Sequence, residues 1–509
     1  MPAASSPPRA TRHQPSWLRG LGVLAVLTSL LVACGQKPGV HVAAEPGVVA
    51  GGTGPGVGVV GGATGVPPAV TGGDLAGDLP TSDAATGAGG TGVDEATGGG
   101  ADAVGAARQP AQPAQQPAEP AGQPAQQPQP PPAGGNAPRG RDRTGVSEGE
   151  IRIALHAPQT GAAPLPTKSF EQSRDLYWRW LTEQQGGEVL GRRKVVVTFA
   201  DDKYQPSSAS QVCRQLMEGH FLLLGGGGTD QIQACGRLAS ARNVPYLSAG
   251  VTEAGLQGLP WYFAASMSYR AQGRLLAQFV KRNFGDAKVA MIVTDTPNFD
   301  DAVQGWEAAV REVGINYYKT QKHPRGDTSW YATYGDDMAS NGVQVLYVLS
   351  SPLDYIRFAQ QNDDAGFRYV GVGITMGLNA VLANGCPQVH GGVFFSPFPG
   401  LDWARQHEPA FFQAAGTFGT PDDDLSLAMW GLAKQLHVMF ERYRGVHGNE
   451  LTREDFRAVV EQQRGLETGL FPTLNYSPQD HFGASTVHVL QANCDAGEHT
   501  TLATFVSGF

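Results

Sequence analysis

Beyond residue 31 the chain has no apolar stretch approaching the roughly 20 residues that a membrane-spanning helix needs. It has only five cysteines in 509 residues and no Cys-x-x-Cys spacing, which argues against a zinc or dithiol redox motif. Charged residues make up 16% of the chain and the formal charge is -9, with no basic run. That balance argues against nucleic acid as a partner. No Gly-Lys-Ser/Thr follows the glycine run at 225–228, so a phosphate loop is excluded. A dinucleotide fingerprint after a strand is missing, and the twelve histidines form no His-Glu-x-x-His. Catalysis, a cofactor and a metal are therefore not expected.

What is present begins with an export signal. Arg9, Arg12 and Arg19 precede an apolar run at 21–31, which ends in Leu31-Val32-Ala33-Cys34 followed by Gly35. A basic start, a short apolar core and a small-residue end mark a cleaved signal. The last four residues resemble a bacterial lipobox, which implies that Cys34 is lipidated and becomes the new N-terminus at the membrane surface.

Residues 35–146 are rich in Gly, Ala, Pro, Gln, Val and Thr and lack aromatics. Such a segment cannot bury enough apolar surface to offset its ordering entropy. It is read as a linker, coil-like first and leaning towards polyproline II over 109–132. As a coil it would span on the order of 55–65 Å.

Residues 147–509 exceed the size of a single core, so two lobes are expected. From residue 151 short apolar runs alternate with longer helical patterns. Strands are predicted at 151–155, 195–199, 221–224, 245–248, 289–293, 343–349 and 369–372. Helices are predicted at 170–185, 209–217, 233–242, 271–283, 301–313 and 354–363. This alternation indicates an α/β fold of βαβ units with parallel sheets covered on both faces. Two Rossmann-like lobes result, the second beginning near Gln272.

Several strands end in turns that open helices: Gly225-Gly226-Gly227-Gly228-Thr229-Asp230, Ser248-Ala249-Gly250-Val251-Thr252, Thr294-Asp295-Thr296-Pro297-Asn298 and Ser350-Ser351-Pro352. Thr229, Thr252 and Ser351 suit the start of a helix. Ligands of open α/β sheets sit outside the carboxyl ends of strands, where helix starts present free amides. His156, at the end of the first strand, is read as a polar rim residue of that cleft. Asp201-Asp202 look like a paired-carboxylate site.

Four cysteines remain besides Cys34. In an oxidising compartment they suggest two disulfides. Three connectivities are open; Cys213 with Cys235 and Cys386 with Cys494 is favoured.

The order of these features resembles the type I periplasmic binding proteins, in the branched-chain amino-acid receptor group that serves ABC transporters. The carriers are residues 151–154 with the Thr160-Gly161 turn, Asp201-Asp202 with Pro206 and Ala209, and Gly225 with Gln233. Tyr246-Leu247-Ser248 with Gly250 and Thr252, Gln272-Gly273, and Ala365-Gly366 before Tyr369 complete the series. The resemblance implies two lobes, about 147–268 with 396–480 and about 269–395 with the C-terminal strands, joined by a hinge and closing like a flytrap on a small solute. It places a solute carboxylate on Thr229, Gly250 and Thr252 and a covering aromatic near Phe299, with Thr160, Gly228, Ser351 and Thr375 as further ligand-binding candidates, and it makes Asp201-Asp202 structural or near the cleft. The acidic residue that would meet an ammonium is replaced by Gly373-Ile374-Thr375, and a second aromatic by Ser351. Asp295, Asp300 or Tyr204 could stand in.

The expectation is a lipid-anchored, extracytoplasmic solute-binding protein that delivers an amino-acid-like or polar carboxylate or amide solute to an ABC permease. A sensing or regulatory lipoprotein of the same fold is the alternative, and an envelope protein whose cleft has lost its ligand is a third.

Overall fold

The computed structural model describes residues 141–161, 168–191, 194–249, 253–373 and 377–509. The signal segment with Cys34, the linker to residue 140, Gly250, Thr252 and Thr375 lie outside them.

The first sheet takes β1 (Glu150–Ala157), β2 (Lys194–Asp201), β3 (Leu222–Gly225), β4 (Tyr246–Ser248) and β5 (Tyr262–Ala264) in the order β2-β1-β3-β4-β5. Every pairing in it is parallel. The central strand β1 shows why: nearly all of EIRIALHA is buried, as in a strand covered on both faces. Its crossovers are α1 (Lys168–Ser173), α2 (Leu176–Arg179), α3 (Pro206–Leu216) and α4 (Thr229–Ala241). The single helix predicted over 170–185 is broken after Ser173 and ends in a π-turn, Trp180–Gln184.

The second sheet opens with α5 (Tyr269–Phe284), capped by the Ser268 hydroxyl. It contains β6 (Val289–Thr294), β7 (Tyr317–His323), β8 (Val345–Leu349), β9 (Arg368–Val372) and β10 (Val393–Ser396), with α6 (Asp300–Val313), α7 (Trp330–Ser340), α8 (Pro352–Gln361) and α9 (Asn379–Gly385) between them. Two late strands, β11 (Val487–Asn493) and β12 (Glu498–Val506), add an antiparallel hairpin beside β10. The final order is β12-β11-β10-β9-β8-β6-β7.

Between β10 and β11 the chain returns towards the first sheet. After α10 (Leu401–His407), α11 (Pro409–Phe418) packs on α2, and the long α12 (Asp424–His447) packs on α1, α2 and α13 (Arg453–Glu461). Trp178 and Trp430 are fully buried in this layer, and Trp306 is fully buried beside the second sheet. The chain therefore passes between the lobes three times: from β5 to α5, from β10 towards α11, and from the loops after α13 into β11.

Cys213 is bonded to Cys235, joining α3 to α4, and Cys386 to Cys494, joining the end of α9 to the end of β11. Among the described residues no helix is long and apolar enough to cross a membrane.

Candidate functional site

The carboxyl ends of the two sheets face one another, and the groups that meet there can be named. Asp230, in the first turn of α4, reaches across to three groups of the second lobe. It is ion-paired with Arg325, just beyond β7. It accepts from the Asn298 amide, and from the Thr296 hydroxyl at 3.3 Å, both in the turn after β6. A second crossing lies nearby, where the backbone N–H of Glu253 donates to Asp301 Oδ2 in α6 at 2.7 Å. Glu253 is held in turn by the Ser268 hydroxyl at 2.5 Å and by Arg270 at 3.0 Å.

Gly228 precedes α4 with φ +78, in the left-handed region that favours glycine. A Cβ there would stand 2.2 Å from Gln231 Oε1 and 3.1 Å from the Tyr204 ring. The loop after β2 thus lays Tyr204 against the α4 start. Burial pushes the Tyr204 phenol up, while Arg325, whose guanidinium lies 5.7 Å from the ring centroid, pulls it down.

Thr229 is the first residue of α4 and half-buried, beside these groups. Phe299 is buried with its ring 6.1 Å from that of Tyr269. Tyr269 also lies over Gly373, where a Cβ would meet its hydroxyl at 2.8 Å. Thr160 is exposed and tied to β2, its hydroxyl donating to Asp201 Oδ2 at 2.6 Å. Ser351 caps α8: its hydroxyl accepts the Asp354 N–H at 3.1 Å and donates to Asp354 Oδ2 at 2.7 Å. Its hydroxyl is thus committed to its own helix.

Three expectations need correction. His156 is not on a rim; it is fully buried, with Nδ1 2.9 Å from Asp202 and Nε2 2.7 Å from the Tyr246 hydroxyl. Asp295 and Asp300 do not face a buried ammonium site. Both are largely exposed and share Lys322, at 3.4 and 2.8 Å.

Asp201 and Asp202 hold the loop after β2. Asp201 accepts from the backbone of Gln159 and Lys203 as well as from Thr160. Burial pushes the Asp201 carboxyl up, but these hydrogen bonds outweigh it and leave it below the usual range. His156, Cys213 and Cys235 place ligand-type atoms within 4.8 Å of one another, yet both sulfurs are committed to a disulfide.

Sequence reasoning gave Asp230, Arg325 and Tyr269 no role. Arg325 had one signal, its place in a Pro-Arg-Gly-Asp turn, and that turn becomes meaningful only once β7 is recognised.

The model of the family described as periplasmic binding protein matches residues 150–498. A Leu/Ile/Val-binding protein homolog from Brucella abortus (strain 2308) is 24% identical over 233 residues, 43% of this chain and 57% of that protein. The chain thus spans little more than half the length of that curated relative. A fatty acid ABC transporter substrate-binding protein from Thermomonospora curvata superimposes with TM-score 0.61 at 16% identity, covering 72% of this chain and 95% of that one. A branched chain amino acid ABC transporter from Thermus thermophilus with bound valine gives TM-score 0.59 at 16% identity, covering 71% and 98%. The match over 150–498 makes this chain a member of the periplasmic binding protein family, binding proteins and not enzymes, and its two facing lobes share the type I fold of these structural neighbours.

Proposed function

We propose that the chain is an extracytoplasmic solute-binding lipoprotein of an ABC importer. It captures a small amino-acid-like or polar carboxylate or amide solute between its lobes and is tethered through Cys34 by the 35–146 linker. The observation that carries this reading is the meeting of both sheets' carboxyl ends across Asp230, with the α4 start on one side and the turn after β6 on the other. Helix starts at such ends offer unsatisfied amides to a polar solute. The polar, partly exposed nature of the contact suits lobes that open and close rather than a fused core.

The curated relative named above is a Leu/Ile/Val-binding protein homolog, and the structural neighbours include proteins with valine or benzoate bound. Those names support a small organic solute of this kind. Thr229, Gly250 and Thr252 are proposed to contact it, with Phe299 against Tyr269 as an apolar wall.

The test is a thermal-shift screen of the full-length chain against amino acids, amides, small acids and sugars. A solute at 100 times its Kd adds about 2.7 kcal/mol of stability. A Thr229→Ala, Thr252→Ala double variant should lose the response. Equal binding by that variant would remove these residues from the site, and silence across the whole library would speak against solute capture.

A further inference from the structure

Asp230 alters the chemistry of the α4 start. A helix start ordinarily suits a bound anion, but here a carboxylate of the chain itself occupies the first turn. Its side chain is 14% exposed and points at the opposite lobe. Two further groups lie at the start of α4. The Tyr204 ring and Gln231 Oε1 both crowd Gly228. Gln231 is fully buried, and neither its Oε1 nor its Nε2 has a hydrogen-bond partner. Buried amides are seldom left unsatisfied, because each orphaned group costs free energy.

A carboxylate, an aromatic face and an amide oxygen with lone pairs to fill together describe a receptor for a positively charged nitrogen group. A cation already lies there. Arg325 pairs with Asp230 and sits 5.7 Å from the Tyr204 ring centroid. It comes from the other lobe and is itself 39% exposed, so it can be displaced without unpacking a core. The surroundings are acidic as well, since the Asp354 and Asp202 carboxylates also bear on the Tyr204 phenol.

We propose that Asp230, Tyr204 and Gln231 form a subsite for a cationic nitrogen group of the solute, an ammonium, amidinium or guanidinium, and that with no solute bound Arg325 occupies its Asp230–Tyr204 part and leaves Gln231 unpartnered. This rests on the solute-capture reading. A zwitterionic solute would exchange one ion pair for two, its cation on Asp230 and its carboxylate on the released Arg325. The acidic partner that the turn at Gly373 lacks is thus supplied from the first lobe.

The experiment uses full-length chain, wild type and Arg325→Ala, titrated calorimetrically with methylguanidinium and, as the anionic control, acetate. Removing the resident guanidinium should tighten methylguanidinium binding at least tenfold and leave acetate no better bound. Adding Asp230→Asn to Arg325→Ala should abolish the gain. Arg325→Met serves as a second variant if the alanine form does not fold. Equal methylguanidinium affinity in wild type and variant overturns the subsite, as does a gain that survives Asp230→Asn. A library solute that is purely anionic and still needs Thr229 would preserve solute capture while contradicting this subsite. Failure of every library solute to bind counts against solute capture itself.

Discussion

The Tyr246 hydroxyl lies directly over Gly225 on the neighbouring strand, where it reaches His156 Nε2 at 2.7 Å. A Cβ at residue 225 would stand 2.2 Å from that oxygen. Gly225→Ala therefore forces the phenol away and leaves the buried His156 with one partner. Overpacking of this kind costs about 1–3 kcal/mol, and loss of the hydrogen bond adds to it. Urea denaturation should show the midpoint falling accordingly, and an unchanged midpoint would mean that the first sheet has slack at this position.

Asp424 gives a second prediction. It is buried at the start of α12, next to Asp423, and accepts the backbone N–H of Asn379 at 2.5 Å. Burial pushes its carboxyl up to about 7, with Asp423 adding to the effect. A group whose folded pKa is raised stabilises the fold below its unfolded pKa, and that contribution is lost as pH rises through the folded value. As pH rises from 4 to 7, wild type should therefore lose stability relative to Asp424→Asn, by at most ~1.4 kcal/mol for each tenfold fall in proton concentration. Denaturation curves of both proteins across that range measure the difference directly.

The terminal hairpin titrates in the opposite sense. Burial lowers His488 to about 3 and His499 to about 4. Both stay neutral in the fold while the unfolded chain takes up protons near pH 6.5, so stability falls as pH drops below that value. His488→Gln, which keeps an N–H for the Leu470 carbonyl that His488 Nε2 meets at 3.0 Å, should flatten this loss between pH 6 and 4. An identical slope in both proteins would show that His488 does not carry it.

The Cys386–Cys494 bond closes a separation of 108 residues. By loop entropy, replacing both cysteines with alanine should cost about 3–5 kcal/mol. Non-reducing peptide mapping checks the pairing, and thermal unfolding of the double variant checks the cost.

Much of the fold could be read from apolar runs. Val289–Thr294 and Val345–Leu349 are buried throughout and look like central parallel strands. Tyr317–His323 escaped because its YYKTQKH is only half-buried at the sheet edge, so its pattern is polar. Tyr262–Ala264 is three residues long and carries no period. The antiparallel hairpin lay beyond the βαβ rhythm altogether.

The site divides in the same way. Thr229 was legible because a glycine turn followed by a hydroxyl residue is a local signal. The pairing of Asp230 with Arg325 depends on two lobes meeting, which no local pattern encodes. His156 was misjudged for a similar reason: the partner that buries it, Tyr246, arrives from a strand far along the chain.

The most direct measurement is amide hydrogen exchange of the full-length chain with and without a solute found by thermal shift. If the solute is held between the lobes, protection should rise together at residues 229–232 of the first lobe and 296–299 of the second. Protection confined to one lobe, or gained only away from both turns, would contradict capture in the cleft.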